Sequence, residues 1–459
     1  MTRNDEILAQ LPDLWSAAVD RHGVPGAQIA VLADGIMWEA AAGKLSLTTG
    51  VDVTTDSVFQ IGSITKVWTT TLVMQLVDDG LIGLDDLLIT HMPEFALGDM
   101  TAAQEITIRQ LLSHTAGFDG DIFRDTGRGE DAIEKFVASL DTADQVFPPG
   151  TMFSYNNTAF AVLGRLIEKK RGAPWAQVLT DRIVTPLGLT NVCPSADEAI
   201  LRRAAVGHMD GPDGPVATTT WALPRSNQAA GAMLAMSAHD LVRFAQMHLN
   251  DGLAPDGTRL LSPESVAAMQ TAQVEVPPLR NMGDSWGLGW DLTHTDQGLV
   301  IHHTGGTIGQ AAFLCVIPEQ QFAIAALTNG GGCFDLYLRT VLPLMQELTG
   351  VALPERHTPP ANPSEVDMDR IGGTYSDASF DFTVRRDADG TLWLDRVPKG
   401  IEAELGEQPT STIMAGVAPD LIVAQEPTAG IYPVYAFVGR QDDGRATHIH
   451  YGRAVRRAD

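Results

Sequence analysis

Cysteine is scarce in this chain of 459 residues, which contains three: Cys193, Cys315 and Cys333. An odd number of widely spaced thiols excludes a disulfide framework and offers no metal cluster; it fits inert buried thiols in a reducing compartment. Basic charge is also in short supply. Lys and Arg number 31 against 57 Asp and Glu, a formal net charge of −26. That balance excludes nucleic acid, whose phosphates need a Lys/Arg surface, and an anionic membrane as partner. Lysine itself is rare (Lys44, Lys66, Lys135, Lys169, Lys170 and Lys399), so a lysine inside a catalytic spacing carries more weight than usual. No run of about 18 apolar residues occurs, and no transmembrane helix is expected. The opening segment lacks the basic start and unbroken apolar stretch of a secretory signal. It is an amphipathic pattern (Ile7, Leu8, Leu11, Leu14, Trp15, Ala18), so the expected location is cytoplasmic. H-E-x-x-H is absent, no G-x-S-x-G nucleophile elbow of the α/β-hydrolase kind is expected, and Gly305-Gly306-Thr307-Ile308-Gly309 lacks the βαβ unit of a nucleotide loop. No metal and no cofactor are expected.

A chain this long, 44% hydrophobic and 19% charged, is globular and calls for two domains. Ala27–Leu32 and Ile36–Ala42 flank Asp34-Gly35, a hairpin signal. From Ser63 towards Asp79 a helix follows, with Val67, Leu72, Val73, Leu76 and Val77 as apolar positions. The middle reads as helices and loops, including Ala159–Lys170 and Ala238–Leu249, the latter with Ser237 as N-cap. Strand patterns return at Gly289–Leu292, Leu299–His303, Ala311–Ile317 and Phe322–Thr328, before a closing helix Phe334–Leu348. Residues 353–363 hold four prolines and no periodicity, the marks of a linker. Short strands beyond it (Phe380–Arg385, Leu392–Asp395, Leu421–Ala424, Val434–Val438, Thr447–Tyr451) predict a small antiparallel barrel or sandwich. The expected division is a catalytic domain over 1–352, a linker over 353–364 and an all-β domain over 365–459.

Three motifs carry chemistry. Ser63-Ile64-Thr65-Lys66 sets a lysine three residues after a serine, on one face of a helix whose N-terminus favours developing negative charge. A serine hydroxyl needs such a base within reach to become a nucleophile. Taken alone, S-x-x-K recurs by chance in chains of this length. Tyr155-Asn156-Asn157 stands before an apolar helix. A tyrosine beside cationic Lys66 would have its phenolate favoured and could pass protons, while Asn157 could orient Lys66 and a substrate amide. Finally, His302-His303-Thr304-Gly305-Gly306 ends an apolar strand in small residues, which lets a substrate backbone approach an N–H able to serve an oxyanion.

The order and spacing of the three motifs resemble the serine β-lactamases and penicillin-binding proteins, in the branch with class C β-lactamases, D-aminopeptidases and esterases. Leu111–Gly117, Pro186–Leu189 and Trp286–Trp290 are similar to stretches of that family, and the resemblance spans roughly residues 5–350. It implies an α/β (α+β) transpeptidase fold with a central antiparallel sheet. It also implies Ser63 as nucleophile, Lys66 and Tyr155 as the base system, Asn157 as a positioning residue and the N–H groups of Ser63 and Gly306 as oxyanion hole. Thr304 and Gly305 fall in its substrate-binding strand, and His114 in a structural loop away from the serine. Where the family's third motif usually starts with Lys, this chain has His303, and an imidazole holds a substrate carboxylate less firmly than an ammonium. That disfavours a β-lactamase.

The chain is most similar to the penicillin-binding-protein-type thioesterases, stand-alone cyclases of non-ribosomal peptide pathways with a lipocalin-like C-terminal domain. This resemblance implies transfer of a peptidyl chain from a carrier-protein thioester to Ser63. Release follows as a head-to-tail macrolactam, with a D-residue or glycine at the acyl end. A basic residue near the chain end binds substrate in those enzymes, and Arg453 is the candidate here, ahead of Arg456 and Arg457. The alternative is a cytosolic D-amino-acid peptidase, amidase or esterase of the same fold.

Overall fold

The computed structural model describes residues 3–400, 403, 407–428 and 430–459. Its first half is built on an eight-stranded antiparallel sheet. The strands are β1 (Gly26–Ala33), β2 (Ile36–Gly43), β3 (Val274–Glu275), β4 (Ser285–Trp286), β5 (Asp291–Thr295), β6 (Gly298–Thr307), β7 (Gln310–Ile317) and β8 (Phe322–Thr328). They lie in the order β2-β1-β8-β7-β6-β5-β4-β3. The β1–β2 hairpin turns on Asp34 (φ 52°) and Gly35 (φ 75°), both in the left-handed region that a tight two-residue turn demands.

Every residue of β1, β7 and β8 is buried, so alternate side chains must enter two different cores. Ala30, Leu32, Leu314 and Val316 join the helical side, with α2 (Thr65–Asp78), α3 (Asn157–Arg171) and α4 (Ala238–Leu249). Ile29, Val31, Phe313 and Cys315 face the other side, against α1 (Leu11–Arg21) and the closing helix. The closing helix runs Cys333–Leu336, then a π turn Tyr337–Val341, then Leu342–Thr349. Trp15 ties α1 to the sheet by donating to the Ala27 carbonyl at 3.3 Å. Ser237 caps α4 through the Asp240 N–H.

Helix α3 begins two residues earlier than its apolar pattern predicts. The Asn156 side chain accepts from the Ala159 N–H at 2.7 Å, a cap of the kind that contributes about 1 kcal/mol. Asn157 therefore sits in the first helical turn rather than in the loop before it.

Residues 351–360 carry no regular element. Beyond them β9 (Gly373–Ser376), β10 (Phe380–Arg386), β11 (Leu392–Pro398), β12 (Thr410–Ala418), β13 (Leu421–Ala424), β14 (Val434–Val438), β15 (His448–His450) and β16 (Ala454–Arg457) close into a barrel. Pairing of Tyr375 with Arg457 and of Ser376 with Arg456 joins the last strand to the first. Its interior is filled by Tyr375, Phe382, Phe437, Ile449 and Val455 among others. Arg457 is buried in it, donating to the carbonyls of Ala446, Gly372 and Arg370.

Candidate active site

Ser63 lies in a single 3-10 turn, Gly62–Ile64, that feeds α2. The turn is pinned on both sides. The Ile61 N–H donates to the Leu234 carbonyl at 3.0 Å, and the Gln60 N–H to Gln310 Oε1 at 3.0 Å. Lys66 follows one turn later with its Nζ 3.1 Å from Ser63 Oγ and donating to the Ala230 carbonyl at 2.6 Å. Its side chain is 0% exposed. Burial, and secondarily the positive charge of Arg453, hold its pKa well below the ordinary lysine value, while Asp121 works the other way. A neutral amine with a free lone pair beside the hydroxyl is what a general base requires.

Strand β6 supplies the third motif. Strand β5 pairs with residues 298–302 of it, so the edge from His303 to Thr307 extends past its neighbour. A Cβ on Gly305 would stand 1.9 Å from the Ile61 carbonyl oxygen and 3.0 Å from the Ser63 nitrogen. This backbone-to-backbone approach is why the position is glycine. Gly306 follows on the same free edge, beside Gly62. His303 shares the helical face with Leu314, whereas His302 and Thr304 share the opposite face with Cys315 and Phe313.

His303 Nδ1 lies 2.6 Å from the Thr304 carbonyl oxygen and must carry the proton that it donates. Nε2 is then a bare, buried acceptor with no partner. Burial first, then the Lys66 charge, push this imidazole down to about 3. His303 is thus neutral throughout the physiological range and provides no cation for a carboxylate.

Two expectations about the second motif need correction. The Tyr155 hydroxyl is not favoured as a phenolate: burial raises its pKa, outweighing the opposing effects of Ser63 and Arg453. Its ring stands between two basic groups, 4.9 Å from Lys66 Nζ and 4.7 Å from the Arg453 guanidinium. The Asn157 amide, expected to orient Lys66, donates instead to Asp121 Oδ1 at 2.6 Å. His114, expected away from the serine, stacks on Tyr155 at 4.4 Å between ring centroids and accepts the Asn156 N–H at 2.9 Å. Gly283–Gly287 does spell G-x-S-x-G, contrary to the sequence reading. No elbow results, because Ser285 is buried in β4 and donates to Asp284 at 2.9 Å, remote from any strand-to-helix turn.

Asp121 joins the site without any signal in the sequence. It accepts from Asn157 and from Arg453, whose Nε and Nη2 reach it at 2.8 and 3.3 Å. Arg453 arrives from the β15–β16 turn of the barrel, which is fixed to the Tyr155 segment. The Tyr155 N–H donates to the Gly452 carbonyl at 3.0 Å, the Ala454 N–H to Ser154 at 3.0 Å, and His450 Nε2 to the Phe153 carbonyl at 2.9 Å. Arg456 donates to the carbonyls of Gln145 and Val146, and Arg457 stays inside the barrel. Among the described residues no group of three or more His, Cys, Asp or Glu side chains could hold a metal, and no helix is long and apolar enough to cross a membrane.

A serine hydroxyl, a buried lysine with a depressed pKa, a protonated tyrosine and a glycine-edged strand make an arrangement suited to acyl transfer, and a family model described as Beta-lactamase matches residues 6–339. The chain belongs to the beta-lactamase family. It is 43% identical over 370 residues, 80% of its length and 97% of the relative's, to "Penicillin-binding protein 4" of Amycolatopsis lactamdurans. A crystal structure of SurE aligns over 98% of this chain and 99% of its own, with TM-score 0.81 and 31% identity. SurE with D-Leu gives 0.78 and 30% over the same shares. A D-amino acid amidase from Ochrobactrum anthropi shares the fold over 74% of the chain and 99% of its own, at TM-score 0.62 and 22% identity. These likenesses place the protein with the penicillin-binding-protein-type serine hydrolases and acyltransferases that carry a C-terminal barrel.

Proposed function

We propose that this beta-lactamase family member is a peptide macrocyclase. It takes a non-ribosomal peptidyl chain from a carrier-protein thioester onto Ser63 and releases it as a head-to-tail macrolactam, with a D-residue or glycine at the acyl terminus. The observation that carries this reading is Arg453. A barrel strand turn delivers its guanidinium to the mouth of the site, against Tyr155 and Asp121, where a β-lactamase would rely on a cation at position 303. Likeness to SurE over both the sheet and the barrel, including the D-Leu complex, supports it.

In acylation, neutral Lys66 takes the Ser63 proton as Oγ attacks the thioester carbonyl carbon. The N–H groups of Ser63 and Gly306 receive the oxyanion. As the C–S bond breaks, the leaving sulfur receives that proton from Lys66 by way of the protonated Tyr155 hydroxyl. In release, the peptide's own neutral α-amine attacks the ester carbon. Its surplus proton passes to Lys66 and then to Ser63 Oγ as the C–O bond breaks. Asp121 and Arg453 hold the peptide ends, and the barrel limits water at the ester long enough for the amine to arrive.

The test offers linear peptidyl thioesters ending in D- or L-residues and analyses products by mass. Cyclic product from the D-terminated substrate is expected, and Ser63→Ala should leave no acyl-enzyme. Hydrolysed acid alone from every sequence would sink cyclisation and leave a D-amino-acid peptidase, amidase or esterase as the activity.

A further inference from the structure

On the side of the sheet away from Lys66, the face of β6 that carries His302 and Thr304 forms the floor of a second cavity. Its volume is about 740 Å³, within the range of small-ligand pockets. The closing helix makes one wall through Tyr337 and Leu342, and the 278–284 loop with barrel residues 430–432 makes the other. It adjoins two elements of the catalytic site. Thr304 follows His303 on the free edge of β6, and Met282, which lines the cavity, packs against the cluster of Phe153, Tyr155 and Trp286.

Most of the ionisable side chains around this groove are held by neighbours. Arg339 is paired with Asp335 at 3.1 Å, and Arg280 donates to the Glu355 carbonyl at 3.3 Å. Asp284 accepts from Ser285 and lies 2.9 Å from His294. His302 and Asp291 lie 3.5 Å apart beneath the floor, where burial favours the neutral form of both. Arg356, in the linker, lines the groove and among the described residues has no carboxylate within 4 Å and no hydrogen-bond acceptor. Burial lowers its pKa, with Tyr337 acting in the opposite direction. An unpaired guanidinium half-buried in a chain of net charge −26 is costly unless an anion meets it.

We infer that this groove receives the phosphopantetheine arm tethering the acyl chain to its carrier domain, with Arg356 meeting the phosphodiester and Thr304 at the threshold of the catalytic site. The inference rests on the thioester-donor reading above. The arm is long, flexible and amide-rich, with a single anion set well back from the reacting sulfur. That matches a groove with mixed apolar and polar walls, a guanidinium without a protein acceptor and a floor on the strand that carries His303.

The test compares one peptidyl group on phosphopantetheine and on N-acetylcysteamine. The wild type should have the lower KM for the phosphopantetheinyl thioester. In Arg356→Gln that advantage should shrink about tenfold, the order expected for one charge-assisted hydrogen bond to phosphate. Leu342→Trp, which fills the groove and keeps the arginine, should shrink it as well. An advantage unchanged in both variants, each shown to be folded by thermal unfolding, overturns the site. Should either fail to fold, inhibition of the wild type decides: free phosphopantetheine must inhibit more strongly than pantetheine, and equal inhibition overturns the proposal. Product mass separates this from the macrocyclase reading. Hydrolysed acid from both thioesters with a collapsed KM advantage leaves the arm site standing and removes cyclisation. Cyclic product with an unchanged advantage does the reverse.

Discussion

The base proposed at this site is made by its surroundings rather than by its own chemistry. Among the described residues Lys66 has no carboxylate partner, and its pKa is depressed first by burial and then by the charge that Arg453 brings from the barrel. A base must be unprotonated to act, so activity should rise with pH through the Lys66 titration. Arg453→Met removes one depressing charge and leaves Asp121, which favours the ammonium, unpaired. Both changes raise the Lys66 pKa. The acid limb of kcat/KM should therefore move to higher pH, which a profile of acylation rate against pH will show. A guanidinium that merely packed the interface would lower the rate without moving the limb. Asp121→Asn acts in the opposite sense on Lys66, moving the limb to lower pH, and so distinguishes electrostatics from lost packing.

At the scale of elements, the site depends on how closely β6 approaches the Ser63 turn. Three glycines meet there. A Cβ on Gly62 would stand 2.6 Å from the Gly306 nitrogen, one on Gly231 2.4 Å from the Gly62 carbonyl oxygen, and one on Gly305 1.9 Å from the Ile61 carbonyl oxygen. Gly305→Ala must displace either the strand or the nucleophile. A shift of about 1 Å is enough for a hundredfold loss in acyl transfer. Gly306→Ala keeps the same N–H and places its Cβ in open space, so its loss should be much smaller. Burst-phase acylation of a thioester measures both, and equal losses would contradict the steric account.

Across the whole molecule, Arg453 meets Tyr155 and Asp121 only while the barrel stays docked. His450 is central to that joint: Nε2 donates to the Phe153 carbonyl and Nδ1 accepts the Gly452 N–H at 3.1 Å. Both ring nitrogens are occupied in the neutral form, and burial pushes the imidazole down to about 4. The unfolded chain titrates near 6.5 and binds this proton first as pH falls. Stability from His450 is therefore complete above about 6.5 and is lost progressively on the way down to about 4, at up to about 1.4 kcal/mol per pH unit. Urea unfolding between pH 7 and 4 should show that slope reduced by one proton in His450→Gln. An unchanged slope would mean that the ring protonates freely when docked.

The main strands and helices, the all-β character of the C-terminal domain and the Ser63–Lys66 pairing were legible in the chain because they follow from local rules: period two, period 3.6, turn glycines and the one-turn spacing of Ser and Lys. His303 was also legible as a departure, and burial then decided its charge, which no spacing reports. The contacts of Asp121 were not legible. Its partners Asn157 and Arg453 lie 36 and 332 residues away, so no short motif links them. Only tertiary structure turned Asn157 towards Asp121, set His114 under Tyr155, kept that phenol protonated and left Arg356 without an anion. Each of these depends on desolvation and on charges brought together from distant parts of the chain, and a pattern of residue types along one dimension records neither.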